Sequence, residues 1–208
     1  MNRKYLLDSL DGLKALILRL LPSDMVASVA CVPMTTDGPW NDREKAVFEA
    51  AMGIPRERTF WTPAGHDNVP RLSEKDARSD WLHHVAGIDC PYLFLDPDTG
   101  FYNQPTRHSN KQILVSELEV VLRQRRALMI YRHLYFPKGT VGMDGNAYPY
   151  VRHGLKMLQE AGLAAFAYQS QAASCFFISK RTKEITPFRK GLRQRLSGTI
   201  VDERLITQ

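Results

Sequence analysis

Apolar residues at the start of the chain recur with a helical period. Leu6, Leu10, Leu13, Ile17 and Leu20 fall on one face, while Arg3, Lys4, Asp8, Asp11, Lys14 and Arg19 lie mostly opposite. The pattern predicts an amphipathic helix laid against a sheet. The uncharged, β-branched stretch from Met25 to Met34 then reads as an internal strand, ended by Pro33 and by Thr35-Thr36-Asp37-Gly38-Pro39. Asn41-Asp42 opens a helix through Ala46, Val47, Ala50 and Ala51, and Gly53 followed by Pro55 stops it. Thr59-Phe60-Trp61 is a short strand candidate, and Pro63 to Arg71 reads as loop. Ser73 with Asp76 forms an acidic variant of the capping box, starting a helix that reaches His84 or Val85.

The hydrophobic run Tyr92-Leu93-Phe94-Leu95 ends abruptly in Asp96-Pro97-Asp98-Thr99-Gly100. A run of that kind reads as a buried parallel strand that delivers two carboxylates to the carboxyl edge of a sheet, where open α/β sheets bind ligands. After a polar loop, Ser109 is the expected cap of a helix built on Ile113, Leu114, Leu118, Val121 and Leu122. Arg123, Arg125 and Arg126 complement the dipole at its end. Ala127 to Tyr131 is the next apolar strand and runs into Arg132-His133; a loop with Gly139, Gly142 and Gly145 leads to a helix from near Pro149 to Gly162. Strands around Ala164 to Tyr168 and Ser174 to Ser179 form an antiparallel pair. Alternating strands and helices predict an α/β fold, a three-layer αβα sandwich with a mostly parallel Rossmann-like sheet and a C-terminal antiparallel hairpin. Residues 1–180 read as one domain, and 181–208 as a basic tail or docked helix.

Composition adds charge to this outline. Of 208 residues 44% are hydrophobic, enough for a continuous core, and 28 basic against 22 acidic residues leave a net charge of +6. Such a surface attracts polyanions, and Arg181, Lys183, Arg189, Lys190, Arg193 and Arg195 concentrate the excess in the tail. Nucleic acid or a nucleotide is the partner this implies, although a solvated basic helix has the same composition. The charges in the first helix break its apolar run well short of the ~20 residues a membrane span needs. Cys31, Cys90 and Cys175 are far apart in apolar surroundings, which fits buried reduced thiols and a cytoplasmic location.

The candidate chemistry gathers at the strand ends. Asp96 and Asp98, two residues apart, suit a shared magnesium or manganese ion and a catalytic role; they equally suit an Asx turn that bonds backbone amides ahead of Gly100. His133 ends the neighbouring strand and could serve the same cleft as an acid-base group. Alternation sends Arg132 to the opposite face from His133. Asp37, Gly100 and Tyr102 are the residues expected at a cofactor, Tyr102 and Phe101 being able to stack on a base or to cap the core. His83 and His84, adjacent on a helix, cannot share one face as a metal pair.

With these motifs the stretch from Tyr92 to Ile178 resembles the carboxyl-terminal half of the Rossmann-like class I methyltransferases. There a strand ends in an acidic-proline motif, and a helix, a strand, another helix and a closing antiparallel hairpin follow. Asp96-Pro97-Asp98 stands where amino-methyltransferases carry Asp-Pro-Pro-Tyr. The chain is also similar to a group of bacterial and phage proteins with an Asp-Pro-Asp-Asn-Gly motif and a Lys-Tyr-x-Leu-Leu helix like Lys4-Tyr5-Leu6-Leu7. The resemblance implies S-adenosylmethionine as a cofactor. The leading expectation is a protein acting on nucleic acid or nucleotide, with a divergent methyltransferase as one form of it. The alternatives are a metal-dependent phosphoesterase or nuclease using Asp96 and Asp98, and a non-catalytic phage or defence-associated binding protein.

Overall fold

The structure is a computed structural model that describes residues 6, 9–61, 68–97, 99–105, 111–133, 148–170, 173–197 and 205–207, the side chains of residues 9, 10, 133 and 148 excepted. In chain order the elements begin with α1 (Ser9–Arg19), α2 (Ser23–Val26), β1 (Val29–Pro33), α3 (Asp42–Met52) and α4 (Lys75–Gly87). Then come β2 (Tyr92–Asp96), β3 (Gly100–Tyr102), β4 (Gln112–Leu114), α5 (Val115–Val121) and β5 (Ala127–His133). The chain continues through α6 (Tyr148–Glu160), β6 (Ala164–Gln169), β7 (Ala173–Ser179), α7 (Thr182–Leu196) and β8 (Leu205–Thr207).

Six strands form one sheet in the order β1-β2-β5-β7-β6-β8. Parallel pairing runs from Val29 opposite Tyr92 to Pro33 opposite Asp96, and from Tyr92 opposite Ala127 to Leu95 opposite Ile130. β7 pairs antiparallel with both β5 and β6, and β8 antiparallel with β6, so β1, β2, β5 and β6 point one way and β7 and β8 the other. The sheet is mixed, with most strands aligned.

Both faces of the sheet are covered, which is why its strands are nearly continuous apolar runs. On one face Ala30, Val32, Leu93, Leu95, Leu128 and Ile130 meet Trp81 and Val85 of α4, Leu118 of α5 and Leu155 of α6. On the other, Cys31, Phe94, Met129 and Tyr131 meet Ile17 and Leu18 of α1, Phe48 of α3, and Phe188 and Leu192 of α7. Three layers result, as the alternation of strands and helices predicts.

Local chemistry explains most element ends. Asn41 Oδ1 accepts from the Glu44 amide and Glu44 Oε2 from the Asn41 amide, each at 2.9 Å, closing a capping box on α3. Gly53 ends that helix in the left-handed conformation, φ 67°. Arg125 is buried and donates to the Val121, Val85 and Ile88 carbonyls, so it ties the ends of α5 and α4 together.

Four expectations are corrected. α1 is rotated relative to the predicted stripe: Asp11, Lys14, Ala15, Leu18 and Leu21 are buried, while Leu13 and Leu20 are only half-buried. Residues 23–26 form the short helix α2 ahead of β1 and do not belong to the strand. The N-cap of α4 is Glu74, without a side-chain cap, and not Ser73. Ile113 and Leu114 lie in β4, which pairs parallel with β3, and the helix starts only at Val115; Ser109 lies outside the described residues. Thr59 makes a single parallel bridge to Cys31. Of the expected tail, Thr182–Leu196 form a docked helix with Ile185, Phe188, Leu192 and Leu196 buried, whereas Leu205–Thr207 are no appendage and add strand β8 to the main sheet beside β6. Cys31 and Cys175 are buried, Cys90 is half-buried, and all three are free. Among the described residues no helix is long and apolar enough to cross a membrane.

Candidate functional site

The parallel register brings Pro33 of β1 beside Asp96 of β2, with β5 as the next strand, so the three carboxyl ends share one margin of the sheet. Side chains alternate across this margin and create two separate environments.

Asp96 belongs to the α1 side. It is 1% exposed, and its Oδ2 accepts a hydrogen bond from Lys14 Nζ at 2.9 Å. Lys14 also donates to Asp11 Oδ1 at 2.9 Å, one helical turn away, and its ammonium lies 4.3 Å from the centre of the Tyr131 ring. Two carboxylates and one ammonium are thus enclosed in an apolar layer. Burial pulls the Lys14 ammonium down, but the charges and hydrogen bonds of Asp96 and Asp11 outweigh it and hold Lys14 above the ordinary lysine value. Burial pushes Asp96 up, against the pull of Lys14. The thiols of Cys31 and Cys175 are also raised, mainly by burial with Asp96 adding to it, and are poor nucleophiles.

Arg132 belongs to the opposite face. Its guanidinium carbon lies 5.1 Å from the centre of the Tyr102 ring and 5.6 Å from that of Phe101, both on β3. Gly100 is the contact that lets this side chain pass. It has φ +82°, and a Cβ there would come within 2.5 Å of Arg132 Cγ. Gly100→Ala combines a left-handed backbone with an overpacked contact, and is expected to lower folding stability by about 1–3 kcal/mol in urea unfolding. A change within a few tenths of a kcal/mol would show that Arg132 swings away freely.

The turn after β1 is closed on itself. Asp37 is half-buried and its Oδ1 accepts from Trp40 Nε1 at 3.1 Å. The Gly38 amide donates to Asn68 Oδ1 at 2.7 Å, and the Val69 amide to the Thr35 carbonyl at 3.0 Å. Trp40 in turn packs on Trp61 with ring centres 5.5 Å apart.

Of the residues expected at a site, Gly100 and Tyr102 are brought together, and they meet Arg132. Asp96 is held across the sheet from them, and Asp37 is engaged with its own tryptophan. The backbone of His133 ends β5 opposite Ala173, and its side chain lies outside the described residues, as does Asp98. Sequence reasoning missed Lys14 and Asp11, whose spacing of three residues was a readable signal of one helix face. It also left Arg132 without a partner surface.

The residues described do not fit the two groups implied earlier. Asp96 Oδ2 is already held by the Lys14 ammonium, which would repel a magnesium or manganese ion there, Asp98 lies outside the described residues, and among those described no three His, Cys, Asp or Glu side chains are grouped to hold a metal. Methyltransferases hold the amino-acid end of S-adenosylmethionine on an open glycine turn; here the amide of Gly38, the one glycine in the turn, is already taken by Asn68. No family model matches this chain, and no curated protein matches it in sequence.

Proposed function

We propose that the protein is a Rossmann-like nucleic-acid-binding protein that docks a phosphate backbone on the outward face of α7. The observation that carries this reading is the division of that helix. Ile185, Phe188, Leu192 and Leu196 anchor it to the sheet, while Lys183, Arg189, Lys190, Arg193 and Arg195 are exposed, preceded by exposed Lys180 and Arg181. The one acid between Lys180 and Leu196 is Glu184. Arg189 also lines a recess of about 200 Å³ together with Thr182 and Thr207, whose hydroxyls suit phosphate oxygens, and Thr186, whose hydroxyl already donates to the Thr182 carbonyl. Rigid helical spacing of cations on one surface neutralises phosphates and releases their counterions without reading sequence.

Fluorescence anisotropy with labelled single- and double-stranded DNA and RNA, run across a salt series, tests this. Wild type should bind with affinity falling steeply with salt. Lys183→Glu/Arg189→Glu/Lys190→Glu should bind at least about tenfold more weakly, with a duplex salt slope shallower by about 3. Equal affinity and equal slope for the two proteins would end the proposal. Titration with S-adenosylmethionine in the same preparation examines the methyltransferase form, which draws support from the reversed strand β7 standing beside β5 in a closing hairpin with β6. Heat of binding that survives the triple substitution would establish a cofactor site, and no heat would remove the methyltransferase form.

A further inference from the structure

We propose that Arg132 is the anchor of a second binding site, one that takes a small oxyanion, a phosphate or a carboxylate, at the carboxyl end of β5. This site is separate from the α7 face and does not depend on it.

Arg132 is only 7% exposed, and its Nη1 is buried with no hydrogen-bond partner among the described residues. No carboxylate among them pairs with it, whereas buried Lys14 has two and Arg78 holds Glu117 in a bidentate pair; Arg125, buried and also without a carboxylate, spends its guanidinium on the Val121, Val85 and Ile88 carbonyls. A guanidinium remains charged at any physiological pH, so burying it without a counter-charge is costly, and native structures rarely leave such a group bare. Desolvation lowers Arg132 from the ordinary arginine value, and only Tyr102 acts against it.

The surroundings are shaped to hold the side chain in place without supplying that charge. Gly100 lets its stem pass, and Phe101 and Tyr102 flank the guanidinium. Gly154 of α6 faces the orphaned nitrogen: a Cβ there would lie 3.2 Å from Nη1 and 2.9 Å from the Phe176 ring. A planar fork fixed between rings, with a nitrogen unmatched, is preorganised for an oxyanion and not for a cation or an apolar group. Tyr102 adds an aromatic face beside the anion, which favours a ligand carrying a ring over a bare ion. Phosphate on a nucleotide and carboxylate on an amino-acid-like molecule share this chemistry.

The test uses the full chain, with the Nε–Hε signal of Arg132 followed by NMR as inorganic phosphate, acetate and adenosine monophosphate are added in turn, potassium chloride matching ionic strength. Saturable movement of that signal with phosphate or acetate, and not with chloride, is the expected result. Tighter binding of the nucleotide than of phosphate identifies the phosphate source, and a response to acetate alone identifies a carboxylate ligand. Arg132→Lys, which keeps the charge but loses the fork, should weaken the titration at least about tenfold as read by anion-induced thermal shift. The movement of the Arg132 Nε–Hε signal should persist in Arg189→Glu, which separates this site from the α7 surface. An Arg132 signal that none of the three anions moves would mean that water or protein alone satisfies Nη1, and would overturn the proposal.

Discussion

Replacing Lys14 by methionine is expected to lower folding stability by about 3–5 kcal/mol, because it leaves two carboxylates enclosed without their shared cation. The loss follows from geometry more than from pair strength. Asp96 is 1% and Asp11 4% exposed, so neither can recover water when the ammonium is removed. Lys14→Met/Asp96→Asn should regain part of the loss, since the amide carries no charge, and a thermodynamic cycle in urea would show coupling well above the additive expectation. Additive effects would mean that the cluster relaxes or hydrates once Lys14 is gone. The same residue sets a pH dependence. Because its folded value is raised above the ordinary 10.5, the stability it supplies is complete below pH 10.5 and is lost as pH climbs through the folded value. Wild type should therefore lose more stability than Lys14→Met in the alkaline range.

Arg78→Met is expected to be comparably severe, about 3–5 kcal/mol. Arg78 Nε and Nη2 donate to Glu117 Oε1 and Oε2 at 2.8 Å each, Nη2 donates also to the Gln112 carbonyl at 2.9 Å, and Nη1 to the Pro70 carbonyl at 3.1 Å. Glu117 in turn accepts from the Leu114 amide at 2.8 Å, and the guanidinium lies over the Trp81 ring. One side chain therefore binds α4, β4 and the first turn of α5. Arg78→Lys should rescue little, since an ammonium cannot make the planar two-point contact. Urea unfolding gives the size of the effect, and faster hydrogen exchange at the Leu114 amide would locate it. A loss below about 1 kcal/mol would show that the pair behaves as a solvated one. Because β4 supports β3, the damage should extend to Gly100 and Tyr102, and so to the surroundings of Arg132.

The sequence was most legible where one physical signal dominated. Continuous apolar runs marked β1, β2, β5, β6 and β7, and the Asn41-Asp42 and Gly53 signals marked both ends of α3. It was least legible where a tertiary contact overruled local pattern. Lys14 and Asp11 read as the solvated side of a helix because nothing local announces that their partner is 82 residues distant from Lys14. Gln112-Ile113-Leu114 continues smoothly into a helical pattern, and only its pairing with Gly100-Phe101-Tyr102 makes it a strand. Asp96 does lie at a sheet margin, but strand alternation sends it into the α1 layer, while Gly100 and Tyr102 serve the opposite face. A reading based on neighbours in sequence joined residues that the pleat divides.

The margins of the main sheet have a consequence for life at high concentration. β1 has one outer side, and there Thr59 bridges Cys31, the Phe60 amide donates to the Cys31 carbonyl, Arg58 occupies the Val29 carbonyl, and Pro33 has no amide to offer. At the far margin β8 is only three residues long. Among the described residues neither rim gives a stranger chain a run of open ladder groups long enough to copy, so copies of this chain can crowd together without edge-to-edge pairing that would seed fibrils.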